Sequence, residues 1–99
     1  MLLMRFTTTK ILTLKQEQLI KEKVEKLFQD KNVMIHIEDN QVMYFHNQEL
    51  QCMMIECQFF NDDKCLDELL KKLMIEITNI TEIPLNHQYL SMHKCYFLG

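Results

Sequence analysis

Residues 51–84 read QCMMIECQFF, NDDK and CLDELLKKLMIEITNITEIP. Residues 51–60 are rich in sulfur-bearing, branched and aromatic side chains and alternate in polarity, as in a strand covered on one face. After them Cys65, Leu66, Leu69, Leu70, Leu73, Met74 and Ile77 recur at helical spacing. Asp67 with Lys71 and Glu68 with Lys72 fall at i,i+4 on the outer side. The NDDK joint supplies helix-start chemistry, with Asn61 or Asp62 as the cap and Asp62 and Asp63 against the positive end of the helix. Pro84 closes the next loop, residues 88–92 (QYLSM) return as a strand, and residues 95–98 form an apolar tail. The stretch is a βαβ unit.

Working back, the first half repeats the order. Residues 2–6 form a strand, residues 13–30 a helix and residues 33–38 (VMIHIE) a second strand. Thr13 and Gln16 have the spacing of a capping box. Leu19, Ile20, Val24, Leu27 and Phe28 make one stripe, and Glu17–Lys21 and Glu22–Lys26 are i,i+4 pairs. A turn at residues 38–41, a short strand at 42–45 and a turn at 46–49 join the halves. The order is βαββαβ, an α+β chain.

The strands also show two kinds of row. Val33, Ile35 and Ile37, with Met53, Ile55, Cys57 and Phe59, suit a face turned to helices. The opposite rows, Met34-His36-Glu38 and Cys52-Met54-Glu56-Gln58-Phe60, are mixed rather than polar. Such a face suits partial cover by another subunit.

A chain of 99 residues with 47% hydrophobic content makes one domain, residues 1–99. Eleven basic against fourteen acidic residues give a net charge of −3, which argues against nucleic acid or an anionic membrane as partner. No apolar run is long enough to span a bilayer, and Met1-Leu2-Leu3-Met4-Arg5 lacks the pattern of a signal peptide, so a cytoplasmic protein is expected. Cys52, Cys57, Cys65 and Cys95 have no CxxC spacing and read as free thiols. His36, His46, His87 and His93 are scattered, so no metal site is expected. One glycine and one proline leave no phosphate-cradling or dinucleotide loop. Kinase, nucleotide-hydrolase and Rossmann chemistry are set aside, and no cofactor is implied.

Two stretches carry a family resemblance. Residues 34–47 (MIHIEDNQVMYFHN) and residues 66–91, with Thr81-Glu82-Ile83-Pro84 before His87-Gln88-Tyr89-Leu90-Ser91, resemble the tautomerase superfamily of the macrophage migration inhibitory factor type and its small bacterial relatives. The resemblance implies two pseudo-symmetric βαβ units, a four-stranded mixed sheet, both helices on one face, and a homotrimer with its sheets turned inward. It also implies a proton-transfer site built on an N-terminal proline that moves a proton between carbon and oxygen of a keto–enol pair. Here the matching residue is Leu2, so the proline-dependent reaction is not expected.

By position the pocket would draw on Lys31 for a small anionic molecule at a subunit interface, and on Tyr89 and Ser91 of the last strand. Arg5 interrupts an apolar strand and is a second anion-binding candidate, unless it pairs with Glu56 or Glu38. His36 is a candidate because imidazole exchanges protons readily near neutrality. Plain structural roles compete for each: a helix-end cation for Lys31, a strand aromatic for Tyr89, a satisfied strand residue for His36. Three readings remain open. One is a tautomerase-fold trimer without the proline reaction. Another is a proton-transfer enzyme using Arg5, Lys31, His36 or Tyr89. The third is a ferredoxin-like regulatory or interaction module with the same element order.

Overall fold

The computed structural model describes residues 1–96, so Phe97 and Leu98 of the expected apolar tail lie outside the described residues. The central strand β1 (Leu2–Thr8) buries every second residue, Leu2, Met4, Phe6 and Thr8, on one side. Helix α1 (Leu14–Leu27) follows. Strand β2 (Val33–Glu38) then lies parallel to β1, with Met4 opposite Ile35 and Phe6 opposite Ile37. A two-residue hairpin, β3 (Tyr44–Phe45) and β4 (Gln48–Glu49), leads to β5 (Met53–Phe59). Helix α2 (Leu66–Thr81) and a short 3₁₀ turn, Leu85–His87, bring the chain to β6 (Gln88–Lys94).

The main sheet has the order β2-β1-β5-β6. Each βαβ unit keeps its two strands as adjacent parallel neighbours, and the units meet where β1 and β5 run antiparallel. A ferredoxin-like arrangement would split each βαβ unit by inserting a strand between its pair. Direct β1–β2 and β5–β6 pairing sets that alternative aside.

One core joins the sheet to both helices. Met4, Phe6, Met53, Ile55 and Cys57 pack with Ile20 and Val24 of α1 and with Leu70, Leu73 and Ile77 of α2. At about 25 cal/mol per Å² of apolar surface removed from water, this layer is the main source of stability. The helices are also tied to each other by Lys23 and Glu76, 3.5 Å apart. Three side chains from elsewhere finish α2. Lys10 Nζ donates to the Thr81 carbonyl, Gln16 Nε2 to the Ile80 carbonyl at 3.1 Å, and Gln88 Nε2 to the Met74 carbonyl at 3.0 Å.

Local chemistry explains the element ends. Thr13 and Gln16 form the expected reciprocal capping box, with bonds of 3.1 and 2.9 Å. The helix stops at Leu27 rather than Asp30, because Phe28 leaves helical geometry to fill the core and its N–H closes on Val24. Lys21 reaches Glu25 rather than Glu17.

Neither Asn61 nor Asp62 caps α2. Cys65 is its N-cap residue, and its N–H is held at 2.8 Å by Asp63 Oδ1, since residues 61–64 are used in turning the chain. Cys52 also departs from its expected outward row. It precedes β5, where strand alternation no longer applies, and is buried with its Sγ 3.3 Å from Met43 Sδ. The expected strand at residues 42–45 is shorter, and half of the residues read as a turn belong to β4. His46 and Asn47, at φ 52° and 62°, form the two-residue turn that matches strand twist.

Candidate functional site

A pocket of about 420 Å³ opens where three chain segments meet: the start of β1, the α1–β2 turn and the β5–α2 turn. Met1 and Leu2, residues 30–32 and residues 61–64 line it. It brings together two of the residues marked by sequence, Leu2 and Lys31.

Leu2 contributes little chemistry. Its side chain is 4% exposed within the core, and its backbone N–H donates to the Asn32 carbonyl at 2.8 Å. The nitrogen at this position is thus a hydrogen-bonded peptide amide, without the lone pair that a proton acceptor needs.

Lys31 is the central cation, and it is occupied. Its Nζ is ion-paired to Asp63 Oδ2, with the two side chains 23% and 26% exposed. The hydrogen bond to Asp63 raises the lysine above its ordinary range despite some loss of hydration, with further attraction from the Asp63 and Asp30 charges. Asp63 is correspondingly pulled below the usual carboxylate range, first by the Lys31 hydrogen bond and then by the N–H of Cys65. Next to it Asp62 Oδ2 accepts from Lys94 Nζ at 2.8 Å, which raises that lysine. Adjacent aspartates thereby anchor the turn to two separate places, the α1–β2 turn and the end of β6.

Arg5, His36, Tyr89 and Ser91 lie elsewhere, on the helix-free side of the sheet. His36, Arg5, Glu56 and Ser91 follow one another across β2, β1, β5 and β6 as a single transverse row. Tyr89 sits opposite Met54, one row away, and is exposed. His36 Nε2 lies 2.6 Å from Glu38 Oε1, so Glu38 is taken by the histidine rather than by Arg5. Among the described residues Arg5 forms no ion pair with Glu56 either. None of these four lines the pocket within the chain.

Apart from Leu2 and Lys31, none of the residues lining the pocket, Asp63 among them, was marked as a site residue by sequence. Asp63 read as a helix-start charge, which it also is. Its contact with Lys31 spans 32 positions, and no local spacing announces it.

A second depression, about 510 Å³, lies between α1 and the edge strand β2, over Leu14, Val33, Ile35 and Ile37 and under Glu17, Lys21 and Glu25. It is a half-covered edge of the core and holds none of the marked residues. The described residues contain no cluster of three or more His, Cys, Asp or Glu placed to hold a metal ion. Their four cysteines are free thiols. Among the described residues no helix is long and apolar enough to cross a membrane.

No protein-family model matches the sequence, and no curated protein matches it. Solved structures do. MIF2 of Leishmania major superposes with a TM-score of 0.85 at 11% identity, over 100% of this chain and 92% of that one. A macrophage migration inhibitory factor homologue from Prochlorococcus marinus gives 0.76 at 17% identity, over 95% and 89%. Pt0534, solved after inactivation by 2-oxo-3-pentynoate, gives 0.78 at 12% identity, over 95% and 85%. With the β2-β1-β5-β6 order and the paired βαβ units, these matches show that the chain has the fold of the macrophage migration inhibitory factor-like tautomerase superfamily.

Proposed function

We propose that this chain is the subunit of a cytoplasmic homotrimer that binds a small molecule at the pocket beside Lys31, at a subunit boundary, and does not run proline-dependent keto–enol tautomerisation. The observation that carries this reading is the nitrogen of Leu2. It stands where the resemblance places a catalytic proline, and it is an amide spent on the Asn32 carbonyl. The chain's one proline is Pro84, at the far end of α2.

Exposed apolar surface supports assembly. Met34, Met54 and Tyr89 are open on the helix-free side of the sheet, and Val42, Tyr44 and Phe45 stand 64–69% exposed on and beside the hairpin. Large apolar side chains gathered in this way suit burial against another copy. Arg5, His36, Tyr89 and Ser91, remote from the pocket in one chain, would reach a pocket only from a neighbouring subunit.

Light scattering tests the assembly and an enol–keto assay on phenylpyruvate tests the chemistry. The expected results are a mass of about 36 kDa, three times the 12.0 kDa chain, and a rate at the uncatalysed level. A monomer would remove the trimer, and rapid tautomerisation would remove the rest of the reading.

A further inference from the structure

We propose that Asp63 is an internal carboxylate occupying the anion position of the Lys31 pocket, so that the protein as it stands turns away small carboxylates and admits them once that charge is removed. This rests on the pocket being a small-molecule site and adds what sets its selectivity.

Lys31 and Asp63 both line the pocket, and the Asp63 carboxylate already meets the Lys31 ammonium there. A carboxylate ligand would make the same charge-assisted contact, so the two compete for one cation. The competition is unequal, because Asp63 is held in place before any ligand arrives. Its other oxygen accepts the Cys65 N–H at 2.8 Å, and its neighbour Asp62 is fixed to Lys94 at 2.8 Å. An incoming anion must displace Asp63 from Lys31 or share the ammonium with it, and in either case it sits beside Asp63, Asp62 and Asp30. An uncharged ligand meets neither obstacle. Among the lining residues it finds the side-chain amides of Asn32 and Asn61.

The geometry also supplies a clean variant. In Asp63→Asn the amide oxygen can still accept the Cys65 N–H and preserve the turn into α2, while the charge is gone. Lys31 would then lose its hydrogen-bonded carboxylate and keep only weaker through-space attractions, Asp30 the larger of them.

The test uses 3-phenylpropanoate and its neutral amide, 3-phenylpropanamide, titrated against the full chain while the backbone NMR signals of Leu2, Lys31, Asn32 and Lys64 are followed. The unaltered protein is expected to bind the carboxylate no better than the amide. Asp63→Asn is expected to bind the carboxylate at least about tenfold more tightly, with the amide unchanged, as for one charge-assisted hydrogen bond gained. Adding Lys31→Met to Asp63→Asn is expected to abolish the gain. The proposal is overturned if the unaltered protein already prefers the carboxylate by about tenfold, or if Asp63→Asn binds the amide normally but gains nothing for the carboxylate. If neither compound moves the pocket signals in either protein, the small-molecule reading itself falls and takes the proposal with it. Circular dichroism on each variant separates these outcomes from loss of fold.

Discussion

The amide nitrogen of Leu2 lies 2.8 Å from the carbonyl oxygen of Asn32 and donates to it, starting the β1–β2 pairing one residue before Val33 joins the sheet. Position 2 thus has two structural duties: a hydrogen-bond donor at the start of β1 and an apolar side chain in the core. A proline nitrogen, which has no N–H, cannot serve the first, and its ring fills less of the core than leucine does. Leu2→Pro is expected to destabilise the chain by about 3 kcal/mol, through the lost donor and the smaller core side chain, and to leave the phenylpyruvate rate at background. Urea unfolding gives the first quantity. A gain of tautomerase activity would contradict the account.

The Lys31–Asp63 pair makes stability depend on pH at two ends. Asp63 is held below the usual carboxylate range in the folded state, so its contribution is complete above the unfolded value near 3.8. It is lost as pH falls through the folded one. Lys31 is raised above 10.5, so its contribution is complete below that value and lost as pH climbs through the folded one. Asp63→Asn should lower the urea midpoint at pH 6, with the difference shrinking toward pH 2. An undiminished difference at pH 2 would place the effect outside this pair.

Thiol chemistry should sort by burial. Hydrophobic surroundings push the Cys57 thiol up to about 11 and raise Cys52 as well. Both are buried, whereas Cys65 is exposed. A maleimide at pH 7.5 is expected to label Cys65 within minutes and to reach Cys52 and Cys57 only after unfolding. Between about pH 9 and 11 the unfolded chain ionises at Cys57 while the folded chain does not, so stability falls as pH rises through that window. Mass spectrometry of peptides after a timed pulse gives the order.

Packing predictions contrast two apolar residues of β1 and the loop after it. Phe6 is fully buried and Ile11 is 70% exposed. Phe6→Ala is expected to cost about 4 kcal/mol, and Ile11→Ala less than about 0.5 kcal/mol. Equal losses in chemical denaturation would mean that Ile11 is covered in solution, as in an oligomer.

What sequence discloses here is what local periodicity encodes. The stripe from Leu66 to Ile77, the alternation through Met53, Ile55 and Cys57, and the Thr13–Gln16 box each state their own geometry within one or two turns of chain. The βαββαβ order follows from them, and with it the fold. The N-cap at Cys65 does not, because the polar residues before it are spent on the turn, Asp62 on Lys94 and Asp63 on Lys31. The same contacts decide the pocket. Lys31 was visible as a cation, but that it would meet a carboxylate from the β5–α2 turn depends on how the two βαβ units dock. Cys52 misled for a related reason: its place follows from Thr8, Thr9 and Met43 rather than from the strand beside it.

A chain with a single glycine must still turn corners, and among the described residues Asn40, His46, Asn47 and Glu82 do so in left-handed geometry. Asparagine tolerates this well; glutamate does not. Glu82 ends α2 at φ 65°, its N–H bonded to Thr78, and its exposed carboxylate reaches Lys10 only at 4.0 Å. Replacing it by glycine would relieve the Cβ penalty of about 1 kcal/mol and give up a weak surface contact. The end of α2 therefore marks thermal headroom, a place where the melting temperature can be raised without touching the core or the pocket.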